Sequence, residues 1–150
     1  MLGDKHSAGV EIARADVAEC AEIAEMENIC FPDAWSESSV RSNLESACGF
    51  CYVARADGVP VGYLCGSFIV PEMEIFRVAT LPEYRRRGIG EAMLRRALAD
   101  FGSDISVYLE VRTSNVAAIA LYGSLGFDVV CERKNYYSNP TENALVMKRE

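Results

Sequence analysis

Three consecutive arginines run into two glycines at Arg85, Arg86, Arg87, Gly88 and Gly90, with Ile89 between the glycines. Met73 to Thr80 just upstream reads as a strand. Downstream, residues 89 to 101 set Ile89, Met93, Ala97, Leu98 and Phe101 on one helical face, and Gly102 ends the run. A strand, a basic glycine-rich turn and a helix in that order predict an anion cradle. Glycines let the main chain approach a ligand closely, and the unpaired N–H groups and positive dipole end of the helix attract a pyrophosphate. The arginine side chains can add charge-assisted bonds to phosphate oxygens.

Two nucleotide-binding readings compete with this one. Gly88, Ile89 and Gly90 begin a G-x-G-x-x-G pattern, and Glu110 lies about 20 residues on, where a ribose-binding acid would be sought. Met93 occupies the third glycine position, and the segment follows an antiparallel-looking meander instead of opening a first βα unit. No G-x-x-x-x-G-K-S/T run occurs, which excludes a P-loop. A solvated glycine-rich turn is the bland alternative.

The remaining pattern changes are spaced for short elements, with no repeat or linker, so residues 1 to 150 read as one domain. Val10 to Ala15 is a candidate strand, and Asp16 caps a helix carrying Val17, Cys20, Ala21 and Ala24 at helical spacing. Phe31, Pro32 and Trp35 interrupt it; Ser36 with Ser39 starts a second helix reaching about Ala47. Phe50 to Arg55 and Val61 to Val70 flank the turn Ala56, Asp57, Gly58 as a hairpin. Ile105 to Val111 is a strand, Asn115 to Leu125 a helix closed by Gly126, and Phe127 to Arg133 and Ala144 to Met147 the last strands.

No run approaches the ~18 apolar residues that cross a bilayer, and Met1 to Val10, with Asp4, Lys5 and His6, lacks a secretion signal's pattern. A cytoplasmic chain is expected. Its six cysteines are then reduced, and Cys48-x-x-Cys51, with no second pair and only His6 to help, is expected to be structural, not redox-active or zinc-binding. No metal is expected. A net charge of −7 disfavours nucleic-acid binding and would suit a cationic partner.

Glu110 closes a strand in the run Leu109, Glu110, Val111, Arg112, and Tyr122 follows one helix later. A carboxylate beside such a cradle can take a proton from an incoming amine, directly or through water. A phenol, with a reference pKa of about 10 against about 8.5 for a thiol, can donate to a departing thiolate, full transfer being uphill by about 2 kcal/mol. Taken singly, Tyr122 also fits a core stripe with Ala118, Leu121 and Leu125, and Glu110 a solvated strand end.

Arg85-x-x-Gly88-x-Gly90 together with Asn115-x-x-Ala118-x-x-Leu121-Tyr122 and Gly126-Phe127 resembles the Gcn5-related N-acetyltransferase (GNAT) superfamily. The resemblance runs from the Phe31, Pro32, Trp35, Ser36 segment to Arg133 through Tyr137. It is strongest to bacterial members that acetylate the N-terminal alanine of ribosomal small-subunit protein eighteen. It implies an α/β (α+β) fold: a mixed, mostly antiparallel sheet of about seven strands flanked by about four helices, splayed into a V for acetyl-CoA. The resemblance also implies that the main chain of Val78, Ala79 and Thr80 holds the pantetheine, Arg85 to Glu91 (above all Arg86, Arg87, Gly88, Ile89 and Gly90) the pyrophosphate, and that Asn115 contacts the cofactor. Glu110 would be the base, Tyr122 the acid, and Phe31, Trp35, Tyr136 and Tyr137 would shape a peptide groove. The implied partner is a protein N-terminus, a basic ribosomal tail, with neither nucleic acid nor membrane, on a monomer or weak dimer. Two positions depart from the pattern: Arg77, where a small or neutral residue is expected, and Glu91, which places a negative charge at the phosphate-binding helix. A small-amine acetyltransferase, an enzyme of broader N-terminal range and a non-catalytic acyl-CoA-binding module are the alternatives.

Overall fold

The computed structural model describes residues 9–150, so His6 and the rest of the N-terminal reading lie outside the described residues. One sheet of seven strands runs through the molecule: β1 (Val10–Arg14), β2 (Gly49–Ala56), β3 (Val59–Ile69), β4 (Glu72–Thr80), β5 (Ser106–Arg112), β6 (Asp128–Tyr137) and β7 (Glu142–Arg149). Their spatial order is β1-β2-β3-β4-β5-β7-β6, every pairing antiparallel except β4 with β5. The α-helices are α1 (Cys20–Cys30), α2 (Glu37–Glu45), α3 (Ile89–Phe101) and α4 (Val116–Ser124).

Local chemistry starts these elements. Asp16 forms a capping box with Glu19 and opens a short 3-10 turn that leads into α1. Ser36 accepts from the Ser39 amide at the start of α2, and Asn115 from the Ala118 amide at the start of α4. Asp57 and Gly58 both lie at positive φ, the geometry of a tight two-residue hairpin turn between β2 and β3. The sequence expectation falls short at the C-terminal strands: β6 extends to Tyr137 and β7 spans Glu142–Arg149, lengthened by pairing with each other across two register shifts.

The central strands are covered on both faces. Phe50, Tyr52, Leu64, Met73 and Ile75 face α3, while Cys51, Val53, Tyr63, Cys65 and Ala79 face α1 and α2. The two cysteines of the C-x-x-C run part company: Cys48 is exposed, and Cys51 is buried opposite Cys65 across the β2–β3 ladder. Among the described residues both are free thiols, and no group of three or more His, Cys, Asp or Glu side chains is placed to hold a metal ion.

One irregularity lies where the sheet parts. Cys65 pairs with Arg77 and Gly66 with Ile75, leaving Phe76 as an extra residue in β4. Such a bulge bends and twists its strand and turns two consecutive side chains to the same side. Gly66 permits the close approach, since a Cβ there would stand 2.3 Å from the Glu74 carbonyl oxygen. Pairing of β4 with β5 runs only from Glu72 to Ile75 and stops where the bulge begins. Beyond it, β4 continues with β3 and β5 with β7, and the sheet opens into a V.

Candidate active site

Inside the V lies a cleft of about 110 Å³ to which Val78, Val111, Asn115, Tyr122 and Glu110 contribute. A wider groove of about 480 Å³, lined in part by Trp35, Glu74, Tyr136 and Tyr137, opens beside it. Glu110, Phe76, Arg77, Asp33 and Tyr137 line both, so the two spaces meet at the Glu110 carboxylate, near the C-terminal end of β5. A concavity of about 590 Å³ between the C-terminal ends of α3 and α4 is larger, but its Arg149 is spent on the Leu125 carbonyl and its Arg95 on Glu91.

Glu110 is 18% exposed and lies on the face of β5 opposite its buried Val107, Leu109 and Val111. Arg133 Nη1 donates to its Oε2 at 2.7 Å, and the Tyr136 hydroxyl donates to its Oε1 at 3.0 Å. The Arg133 side chain is 56% exposed, so this ion pair is screened by solvent, adds little stability and yields readily to another cation. Burial, followed by the bond to Glu110, raises the Tyr136 pKa.

Tyr122 is buried against Phe127 at the end of α4, ring centroids 5.9 Å apart, yet it still reaches the cleft wall. The core and cleft readings of this residue are therefore both met. Burial pushes its pKa up to about 12. Against a thiol near 8.5, full proton transfer would then be uphill by about 5 kcal/mol, more than the residue types alone suggest. A phenol held that far up is a hydrogen-bond donor throughout the neutral range.

On the cradle side, Gly88 (φ 77°) and Arg86 (φ 65°) take left-handed conformations that turn the chain into α3. The helix's first closing bond is from the Ala92 amide to the Gly88 carbonyl, so the preceding amides have no intrahelical acceptor. A Cβ added at Gly90 would sit 3.8 Å from Val78 Cγ1, filling space between the helix start and β4. Arg85 Nε donates to the Thr80 carbonyl and Arg87 Nη2 to the Glu83 carbonyl, so these two arginines hold the turn together. Arg86 makes no such contact among the described residues. Glu91 leans along the helix to Arg95 at 2.9 Å, which pairs its charge within α3. The edge of Val78 and Ala79 facing β5 has no strand partner, whereas the Thr80 carbonyl already accepts from Arg85 and from the Cys30 thiol. Asn115 serves as the α4 cap and lines the cleft.

Sequence reasoning missed Glu27. It is fully buried, and accepts from the Trp35 amide at 2.8 Å and from the Tyr63 hydroxyl. Arg77 Nε approaches it to 3.2 Å. Cys20, Ile23, Ala24 and Glu27 follow the spacing of one buried helical stripe, so a carboxylate at a core position was the available signal. Burial raises the Glu27 pKa, with the Trp35 amide and Arg77 opposing.

Residues 20–127 match the acetyltransferase (GNAT) family. The chain belongs to this family and is an N-acetyltransferase by class. It is similar to the N-alpha-acetyltransferase RimI of Mycobacterium tuberculosis, 38% identical over 93% of this chain and 89% of that protein. The ribosomal protein bS18 alanine N-acetyltransferase of Escherichia coli is 33% identical over 75% of this chain and 78% of its own. The crystal structure of the Escherichia coli S18-alanine enzyme superposes with a TM-score of 0.87 at 28% identity, covering 93% of this chain and 92% of that one. The seven-stranded, splayed sheet expected from the sequence is thus the fold observed.

Proposed function

We propose that this chain transfers the acetyl group of acetyl-CoA to the α-amino group of a protein N-terminus in the cytoplasm. By analogy with its relatives, the acceptor is the N-terminal alanine of the small-subunit protein bS18. The observation that carries the reading is the meeting of a narrow cleft and a wider groove at Glu110, with Tyr122 on the wall of the narrow side.

The donor set fits acetyl-CoA. Open amides from Gly88 to Glu91, assisted by Arg86, suit a pyrophosphate, and the unpartnered edge of Val78 and Ala79 suits the amide groups of pantetheine. When bound, the cofactor supplies an acetyl group activated as a thioester. Glu110 holds the incoming ammonium in place of Arg133, then accepts its proton directly or through water. An α-ammonium, with a pKa near 7.7–8.0, gives up that proton far more readily than a lysine near 10.4, which favours N-terminal acceptors. Tyr122 keeps its own proton and donates a hydrogen bond to the sulfur as negative charge develops there.

The test is a set of initial rates with acetyl-CoA over peptides beginning with Ala, Ser or Met, against polyamines and aminoglycosides. Turnover led by the alanine peptides, with a single acetyl on the α-nitrogen by mass spectrometry, is expected. Turnover confined to the small amines would replace this reading with the small-molecule one, and saturable CoA binding without transfer would replace it with a non-catalytic one.

A further inference from the structure

We propose that Arg77 is a positioning residue for the acceptor, locking the segment between α1 and α2 into one wall of the groove and so selecting the first residue of the incoming chain. The inference rests on the N-terminal acceptor reading.

Arg77 is 12% exposed and engages three things at once. Its Nε lies 3.2 Å from buried Glu27, which in turn accepts from the Trp35 amide. Its guanidinium carbon lies 4.2 Å from the centroid of Phe31 and 5.1 Å from that of Trp35. Nη2 donates to the Asp33 carbonyl at 3.0 Å. One side chain therefore ties together both ends and the middle of residues 31–35, a stretch with no helix or strand of its own. A planar guanidinium can stack and hydrogen-bond at the same time, which an ammonium cannot do.

The bulge supplies the second half of the argument. Because Phe76 is the extra residue, Phe76 and Arg77 both turn toward this segment, and Phe76 meets Trp35 edge-on with centroids 6.1 Å apart. The wall so built stands across the groove from Tyr136 and Tyr137, and Arg77 itself lines both spaces beside Glu110. The main chain of β4 beyond Arg77 borders the cofactor side, whereas the Arg77 side chain runs to the 31–35 segment, of which Trp35 lines the groove, Asp33 both spaces and Phe31 the cleft. The residue is thus placed to set acceptor affinity and selectivity without touching the reacting atoms.

The experiment uses Arg77→Lys, which keeps a cation for Glu27, and the double variant Arg77→Gln with Glu27→Gln, which removes both charges; neither leaves an isolated buried ion. Peptides identical except for the first residue serve as acceptors, and acrylamide quenching of Trp35, the sole tryptophan, reports the wall. Acceptor KM should rise by about tenfold to a hundredfold, the range expected from a wall displaced by ~1 Å. The spread of rates between first residues should narrow, and Trp35 should quench more readily, while the KM for acetyl-CoA stays within about twofold. Wild-type acceptor KM and selectivity in the folded variants would overturn the inference, as would an equal rise in the acetyl-CoA KM. If the wild type acetylates only small amines, the N-terminal reading fails on its own, and the response of those amines' KM still decides the role of Arg77.

Discussion

Two carboxylates, each held by an arginine and a tyrosine hydroxyl, occupy opposite physical regimes. Glu27 lies wholly inside, with Tyr63 and Arg77 packed around it; Glu110 stands at the lip of the V, with Tyr136 and an exposed Arg133. The chemistry of the partners is nearly the same, and solvent makes the difference. An ion pair withdrawn from water is expensive to break because the survivor is stranded, while one at the surface exchanges partners at little cost. The first arrangement ties down the segment between α1 and α2, and the second leaves a carboxylate free to change partners, as the role proposed for Glu110 requires.

The largest effect should fall on the exposed member. Replacing Glu110 with Gln is expected to lower kcat by about 10²–10⁴-fold, the usual contribution of a general base, with stability changed by less than about 1 kcal/mol. Steady-state rates and urea titrations read the two quantities, and a stability loss matching the rate loss would erase the contrast. Glu27→Ala should do the reverse, destabilising by about 3–5 kcal/mol in urea while the remaining folded fraction loses less kcat than Glu110→Gln.

Smaller effects refine the comparison. Tyr122→Phe should raise the barrier by about 1.5–3 kcal/mol, a roughly ten- to hundredfold loss of kcat, as one hydrogen bond to a charged group is withdrawn. Because burial holds Tyr122 up to about 12, the wild-type kcat should not decline near pH 10 through this residue; a tyrosine-dependent fall there would contradict donation from a buried phenol. Arg133→Gln should leave the urea midpoint essentially unchanged, since its partner remains hydrated.

Glu27 also sets a pH signature. Its folded-state pKa is raised, so the stability it lends is complete below the ordinary value of 4.5 and is lost as pH climbs through the folded-state value. Glu27→Gln removes that titration, so the stability of the variant relative to wild type should improve as pH rises from 4.5. A difference independent of pH across that window would show that Glu27 titrates alike in both states.

Element order and caps were legible because they are local. Asp16 and Ser36 each sit three residues before the amide or side chain that answers them. Spacing relative to the basic turn singled out Glu110 and Tyr122, and the fold brings both to the lining of one cleft. What sequence could not supply was non-local. Arg133 and Tyr136 reach Glu110 only through the pairing of β6 with β7 and that of β7 with β5. Arg77 stood out as a departure, but its meaning required Glu27, fifty residues away in the chain and 3.2 Å away in space. The reversal of Arg85 and Arg87 onto carbonyls likewise depends on how tightly the turn closes.

The opening of the sheet depends on the count of residues in β4 more than on what those residues are. Point substitutions at Phe76 would alter a wall yet keep the surplus residue, and so the parting of the strands should survive them. Removing one residue there would let β4 run in step with its neighbour, and a continuous ladder could zip shut over the space meant for a thioester. This stretch should therefore be forgiving of exchange and intolerant of a single-codon deletion, the reverse of what is ordinarily expected near an enzyme's reacting centre.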